Sequence, residues 1–159
     1  MTENALPDVA GLLVQVITAV AEPLRPRFLA LLERTAAGRY EQWAADLPAH
    51  ASGLRACAAR ENEIAATAER IFRLDASDLE KLETPLQSAR ETYFGLLKPL
   101  SIRDQLRTQA IAERAGGAAW RAMAAAPGDA AARAALERSA ELEEANAAHL
   151  DALVARLPA

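Results

Sequence analysis

Apolar residues recur along this chain at intervals of three and four, and no stretch alternates apolar with polar at a period of two. The first spacing collects side chains on one face of a helix, whereas alternation would mark a strand. The pattern therefore predicts an all-α chain. A first helix over about 8–21, opened by Pro7-Asp8, is apolar on most sides (Leu12, Leu13, Val16, Ile17, Val20), so something must cover it, either the same domain or a partner. Pro23 and Pro26 separate it from a second helix over about 24–46, with the stripe Leu29, Glu33, Ala37, Tyr40 and Ala44. Pro48 turns the chain into a third, about 49–74, with Leu54, Cys57, Glu61, Ile64, Ala68 and Ile71 on one side. Asp75 to Asp78 supply a cap for a fourth helix, about 78–97, which ends at Lys98-Pro99. Ser101 can cap a fifth over about 102–126, and Pro127-Gly128-Asp129 turns into a last one over about 129–156. Residues 1–7 read as a loose polar start.

Composition agrees. Of 159 residues 52% are apolar, much of that alanine, and only 4% are aromatic. Alanine, leucine, glutamate and arginine all favour helix. One domain is expected over 1–159, long enough for a core, with 1–22 as a helical extension. The net charge of −4 is spread among interspersed acids and bases, which argues against a nucleic-acid partner. The longest apolar run, Val9–Val20, is too short for a bilayer and is flanked by Glu3 and Asp8 rather than by basic residues. A cytoplasmic protein without a membrane partner is the expectation. The single cysteine, Cys57, excludes an internal disulfide and a thiolate zinc cluster. No glycine-rich loop follows a strand and no nucleophile–histidine–acid pattern is visible, so nucleotide binding and hydrolysis have no support.

The chain repeats itself. Glu33-Arg34-Thr35-Ala36-Ala37-Gly38-Arg39-Tyr40 returns 80 residues later as Glu113-Arg114-Ala115-Gly116-Gly117-Ala118-Ala119-Trp120. Each copy sets an aromatic seven residues, two helical turns, after a glutamate, so the two share a face. At an offset of 82, Leu54 meets Leu136, Cys57 meets Ser139 and Glu61 meets Glu143. Two similar hairpins are predicted, about 24–74 and 102–156, with Glu33 level with Glu61 and Glu113 level with Glu143. Four carboxylates on apolar stripes repel one another unless paired, protonated or bound to a cation. Two accounts stay open: edge positions neutralised by Arg34, Arg60, Arg114 and Arg138, or a cluster that holds protons or divalent metal.

Residues 24–156 resemble the ferritin-like superfamily of carboxylate di-metal four-helix bundles, in which two hairpins are joined by a long crossover. On that resemblance Glu33 and Glu113 match the single glutamates of the first and third core helices. Glu61 and Glu143 match the glutamates of the two Glu-x-x-His pairs, and Tyr40 matches a tyrosine beside the metal. Residues 78–97 would be the crossover helix. The resemblance implies Fe or Mn as cofactor and oxidase or oxygenase chemistry on a small molecule. This chain departs from the pattern at both histidines: Ile64 and Asn146 stand there. Asn146 can offer a carbonyl oxygen, and His149, one turn on, is a further candidate ligand. An all-oxygen set suits Mn, Mg or Ca better than iron. The other reading is a metal-free helical module whose first helix forms a homodimer or docks a protein partner. Trp43, Trp120 and Cys57 read as core fillers, and His50 as structural or exposed.

Overall fold

The computed structural model describes residues 5–126 and 128–158. Residues 1–4 of the polar start and Pro127 of the last turn lie outside the described residues. The described residues form helices and no strand: α1 (Val9–Thr18), α2 (Arg25–Asp46), α3 (Ala51–Ile71), α4 (Ala76–Glu80), α5 (Glu83–Leu97), α6 (Ile102–Ala124) and α7 (Ala130–Val154). Short 3₁₀ turns at Glu22–Leu24 and Pro48–His50 precede α2 and α3. The helix starts follow the sequence. Asp8, Asp75, Ser101 and Asp129 each accept a backbone N–H from the first turn of α1, α4, α6 and α7, satisfying groups that a helix start leaves unpaired.

One helix differs from its expectation. The stretch expected as a single fourth helix is two, broken at Lys81–Leu82. Pro85, in the first turn of α5, is the physical reason: its nitrogen cannot donate to the Lys81 carbonyl, and its ring crowds that oxygen. The chain kinks instead, and the kink buries Leu82 completely against Phe28, Leu24 and Leu86.

Helices α2 and α3 pack along each other, as do α6 and α7, and α3 packs on α7. Two apolar clusters fix their directions. One holds Tyr40, Trp43, Leu54, Cys57, Leu106 and Leu150. The other holds Leu29, Ile64, Trp120, Leu136, Ala140 and Leu142. Helices α2 and α7 run from the second cluster to the first, and α3 and α6 run from the first to the second. The connection through α4 and α5 returns the chain to the end from which α6 starts.

Helix α1 is covered largely by its own domain. The chain turns through 117° between α1 and the run into α2. Helix α1 lies on α6 and α2, with Leu13 and Ile17 against the second cluster. Arg25 donates to the carbonyls of Val20 and Thr18, which ties the corner (2.9 and 3.4 Å). No single helix among the described residues is long and apolar enough to cross a membrane.

Candidate metal centre

Each core helix carries one glutamate where the two apolar clusters meet. In α2, Glu33 falls between Leu29 and Tyr40; in α3, Glu61 falls between Cys57 and Ile64. In α6, Glu113 falls between Ala110 and Trp120; in α7, Glu143 falls between Ala140 and Leu150. All four are buried, with 7, 0, 2 and 1% exposure for Glu33, Glu61, Glu113 and Glu143. One carboxylate oxygen from each of Glu33, Glu61 and Glu143 lies within 4.8 Å of the others. Glu113 lies beside them: its charge acts on all three, and its Oε1 accepts from Tyr40. Glu33, Glu61 and Glu143 therefore lie at one level, with Glu113 beside them.

The arginines do not neutralise them. Arg34 pairs with Glu69 at 2.9 Å, Arg114 with Asp151 and Arg138 with Glu141 at 3.4 Å, while Arg60 donates to Asn146 at 3.1 Å. The account in which these cations take the charge is overturned, because all of them are engaged outside the cluster.

Neutral donors hold the carboxyls instead. The Tyr40 hydroxyl donates to Glu113 Oε1 at 2.7 Å, and Gln109 Nε2 donates to the same oxygen at 2.6 Å. Trp120 Nε1 is shared between Glu33 Oε1 at 3.1 Å and Glu143 Oε1 at 3.2 Å. The pattern is crosswise: the aromatic of α2 serves the glutamate of α6, and the aromatic of α6 serves the glutamate of α2. Tyr93 of α5 donates in turn to Gln109. Gly116 makes room for the whole group, since a Cβ there would lie 2.6 Å from Glu143 Oε1.

Burial dominates the electrostatics. It raises Glu33 from 4.5 to about 7, with the Glu113 charge adding to the rise and hydrogen bonds from Glu61, Glu143 and Trp120 opposing it. Burial first, and neighbouring carboxylates second, hold Glu61 and Glu143 well above the usual carboxylate range. Glu33 thus keeps a proton into the neutral range. Burial, then Glu113, also raises the Tyr40 phenol, so it stays a donor. Burial pushes the Cys57 thiol up to about 12 despite Arg60, as befits a packed and unreactive side chain.

Two candidate ligands from the sequence are placed otherwise than expected. Asn146 is fully buried beside the cluster, but it presents its amide nitrogen, which donates to Glu61 Oε1. Its carbonyl oxygen faces Arg60, whose charge holds it there. His149 does not reach the carboxylates. Six residues beyond Glu143, it sits about 9 Å further along the helix axis, and its ring rests on Gly53 beside a cavity that His50 and Arg156 also line.

The set of Glu33, Glu61, Glu113 and Glu143 fits a hard divalent cation. The donors are all carboxylate oxygens, and Glu61 Oε2 and Glu113 Oε2 are buried without a hydrogen-bond donor. A cavity of about 80 Å³ reaches Glu33, Glu113 and Glu143 from the side where α1 and α5 cover α2 and α6. Sequence reasoning missed Gln109 and Tyr93. A glutamine one turn before a buried glutamate was the visible signal for the first; the second depends on how α5 docks. No protein-family model, curated protein or solved structure matches this chain.

Proposed function

We propose that this chain is a ferritin-like bundle that binds divalent metal through Glu33, Glu61, Glu113 and Glu143. The observation that carries the reading is four buried glutamates, three of them with carboxylate oxygens within 4.8 Å of one another, and two of their oxygens without a donor. Such an arrangement costs several kcal/mol as ions. Protons or a divalent cation relieve it, and two divalent ions would match four carboxylates charge for charge. Support for the bundle type comes from the crosswise donors of Tyr40 and Trp120, from the paired hairpins and from the long connection that carries α4 and α5. The absence of imidazole favours Mn²⁺ over Fe²⁺. Tyr40, Gln109 and Trp120 would orient the ligands, as neutral donors behind carboxylates do elsewhere. A bound redox metal of this kind supplies activation of dioxygen, and an oxidase or oxygenase is the enzyme class that follows from the resemblance.

The test is calorimetric titration of EDTA-treated protein with Mn²⁺, Fe²⁺ and Zn²⁺, alongside melting curves. The wild type should bind, release protons as ligands ionise, and melt higher with metal. Glu61→Gln should lose the binding and, because it no longer buries a carboxyl, melt no lower without metal. Absence of heat and of any melting shift in the wild type defeats the reading.

A metal-free docking module remains the second reading. It draws on Val14 and Phe94, large apolar side chains 62 and 40% exposed. Helix α1 spends Val9, Leu12, Leu13 and Val16 on the cavity wall, which leaves it a narrow outer face. Sedimentation of Val14→Glu against wild type discriminates: a shift from dimer to monomer supports docking through α1, and an unchanged state removes it.

A further inference from the structure

The cavity has walls of three kinds, one of them the carboxyls of Glu33, Glu113 and Glu143 at its inner end. Helix α1 roofs it with Val9, Leu13 and Val16, and α2 adds Leu29 and Leu32, so most of its length is apolar. On the α5 side stands one cation, Arg90, half-buried in the wall. Arg90 Nε donates to Thr35 Oγ1 at 2.9 Å, and the Thr35 hydroxyl donates onward to the Leu31 carbonyl at 3.1 Å. The guanidinium is therefore held at a fixed angle by one nitrogen. Neither of its terminal nitrogens has an acceptor among the described residues. A guanidinium held so presents a planar pair of donors, the geometry that a carboxylate accepts with both oxygens.

We propose that this cavity binds a short-chain monocarboxylic acid, with the carboxylate on Arg90 and the alkyl tail along α1 and α2 beside the glutamate cluster. The inference deepens the metal reading by naming the class of molecule that would lie next to the ion. The cavity itself is formed without metal. Its 80 Å³ has room for about five to eight water-sized groups, which corresponds to an acid of about four to six carbons. A neutral molecule of that size would leave the Arg90 fork unmatched. A phosphate would match the fork and leave the apolar walls unused.

The experiment uses full-length protein, EDTA-treated and Mn²⁺-loaded in parallel, titrated with pentanoate, pentan-1-ol and decanoate by calorimetry. Pentanoate should bind at least tenfold more tightly than pentan-1-ol, and decanoate, whose extra carbons lie beyond the apolar walls, should bind no more than about tenfold more tightly than pentanoate. Arg90→Gln should weaken pentanoate about tenfold or more and leave pentan-1-ol within about twofold, the loss expected for a charge-assisted pair. Arg90→Lys, which keeps the charge but not the fork, should fall between. Leu13→Trp, which fills the roof, should abolish both. Helicity and melting of each variant are measured first, and the lysine variant carries the argument if the glutamine variant does not fold. Equal affinity for acid and alcohol, an Arg90→Gln variant that binds pentanoate as well as wild type, or no binding of pentanoate overturns the proposal. Metal binding without pentanoate binding sinks this inference alone. Pentanoate binding without metal binding sinks the metal reading and leaves the acid site standing.

Discussion

The two hairpins set the same frame around the carboxyls and furnish it differently. The α2–α3 pair supplies Tyr40, which gives its one proton to a single carboxyl, Glu113, where Gln109 adds a second donor. The α6–α7 pair supplies Trp120, whose one N–H serves both Glu33 and Glu143. Three residues after the α3 glutamate stands Ile64, in the apolar cluster; three after the α7 glutamate stands Asn146, which reaches across to Glu61. Helical geometry decides where the acids meet, and the few neutral donors decide how each is held. A site can thus keep its backbone plan while its polar support is unevenly shared.

That asymmetry is open to attack, the greatest effect first. Trp120→Phe leaves two buried carboxyls short of a donor and trims a core side chain. It should destabilise the metal-free protein by about 3 kcal/mol in denaturant unfolding. Tyr40→Phe should cost only about 1 kcal/mol, because Gln109 remains. If the tyrosine change costs as much as the tryptophan change, the uneven sharing described above is wrong.

The response to pH tests both hairpins together next. Folding raises Glu33 from 4.5 to about 7, so the folded state retains a proton that the unfolded chain releases. For this group stability is greatest below 4.5, declines as pH rises through that interval and levels off above 7. The total change is on the order of 3 kcal/mol. Glu61 and Glu143, also raised by burial, add to the decline. Unfolding of EDTA-treated protein between pH 5 and 9 should show this loss, within about those limits. Glu33→Gln and Glu143→Gln should each make the decline shallower. Saturating Mn²⁺ should reverse the slope, since metal competes with the same protons.

The smallest effect on stability belongs to Gly116→Ala. Alanine favours the helix by up to about 1 kcal/mol, but its Cβ would come within 2.6 Å of Glu143 Oε1 and push the carboxyl aside. Stability should hardly move, while Mn²⁺ affinity drops about tenfold, since a displaced ligand loses geometry rather than burial. Gly38→Ala serves as the control, because a Cβ there meets nothing.

Much of this was legible in the sequence, for reasons that also explain the rest. Helices of twenty or so residues with apolar stripes leave little choice of secondary structure, and Asp8, Asp75, Ser101 and Asp129 mark the starts of α1, α4, α6 and α7. The meeting of Glu33, Glu61, Glu113 and Glu143 follows from equal spacing about two turns. The break at Lys81–Leu82 was readable from Pro85, but the leucines on either side sustain the helical period and hide it. The orientation of Asn146 was not readable, because it depends on Arg60, 86 residues away in sequence and adjacent only once α3 and α7 pack. Nor was the cavity, which exists only where α1 and α5 lean over the seam between α2 and α6.

Helix α1 gives the cavity four of its lining residues and gives the glutamate cluster no ligand. It packs on α6 and α2 and is tied at its corner by one arginine clasp. Exchange of residues in that helix can therefore alter what the chamber admits without disturbing the acids beneath it. Variation confined to α1 would reshape the chamber while the four glutamates keep their places.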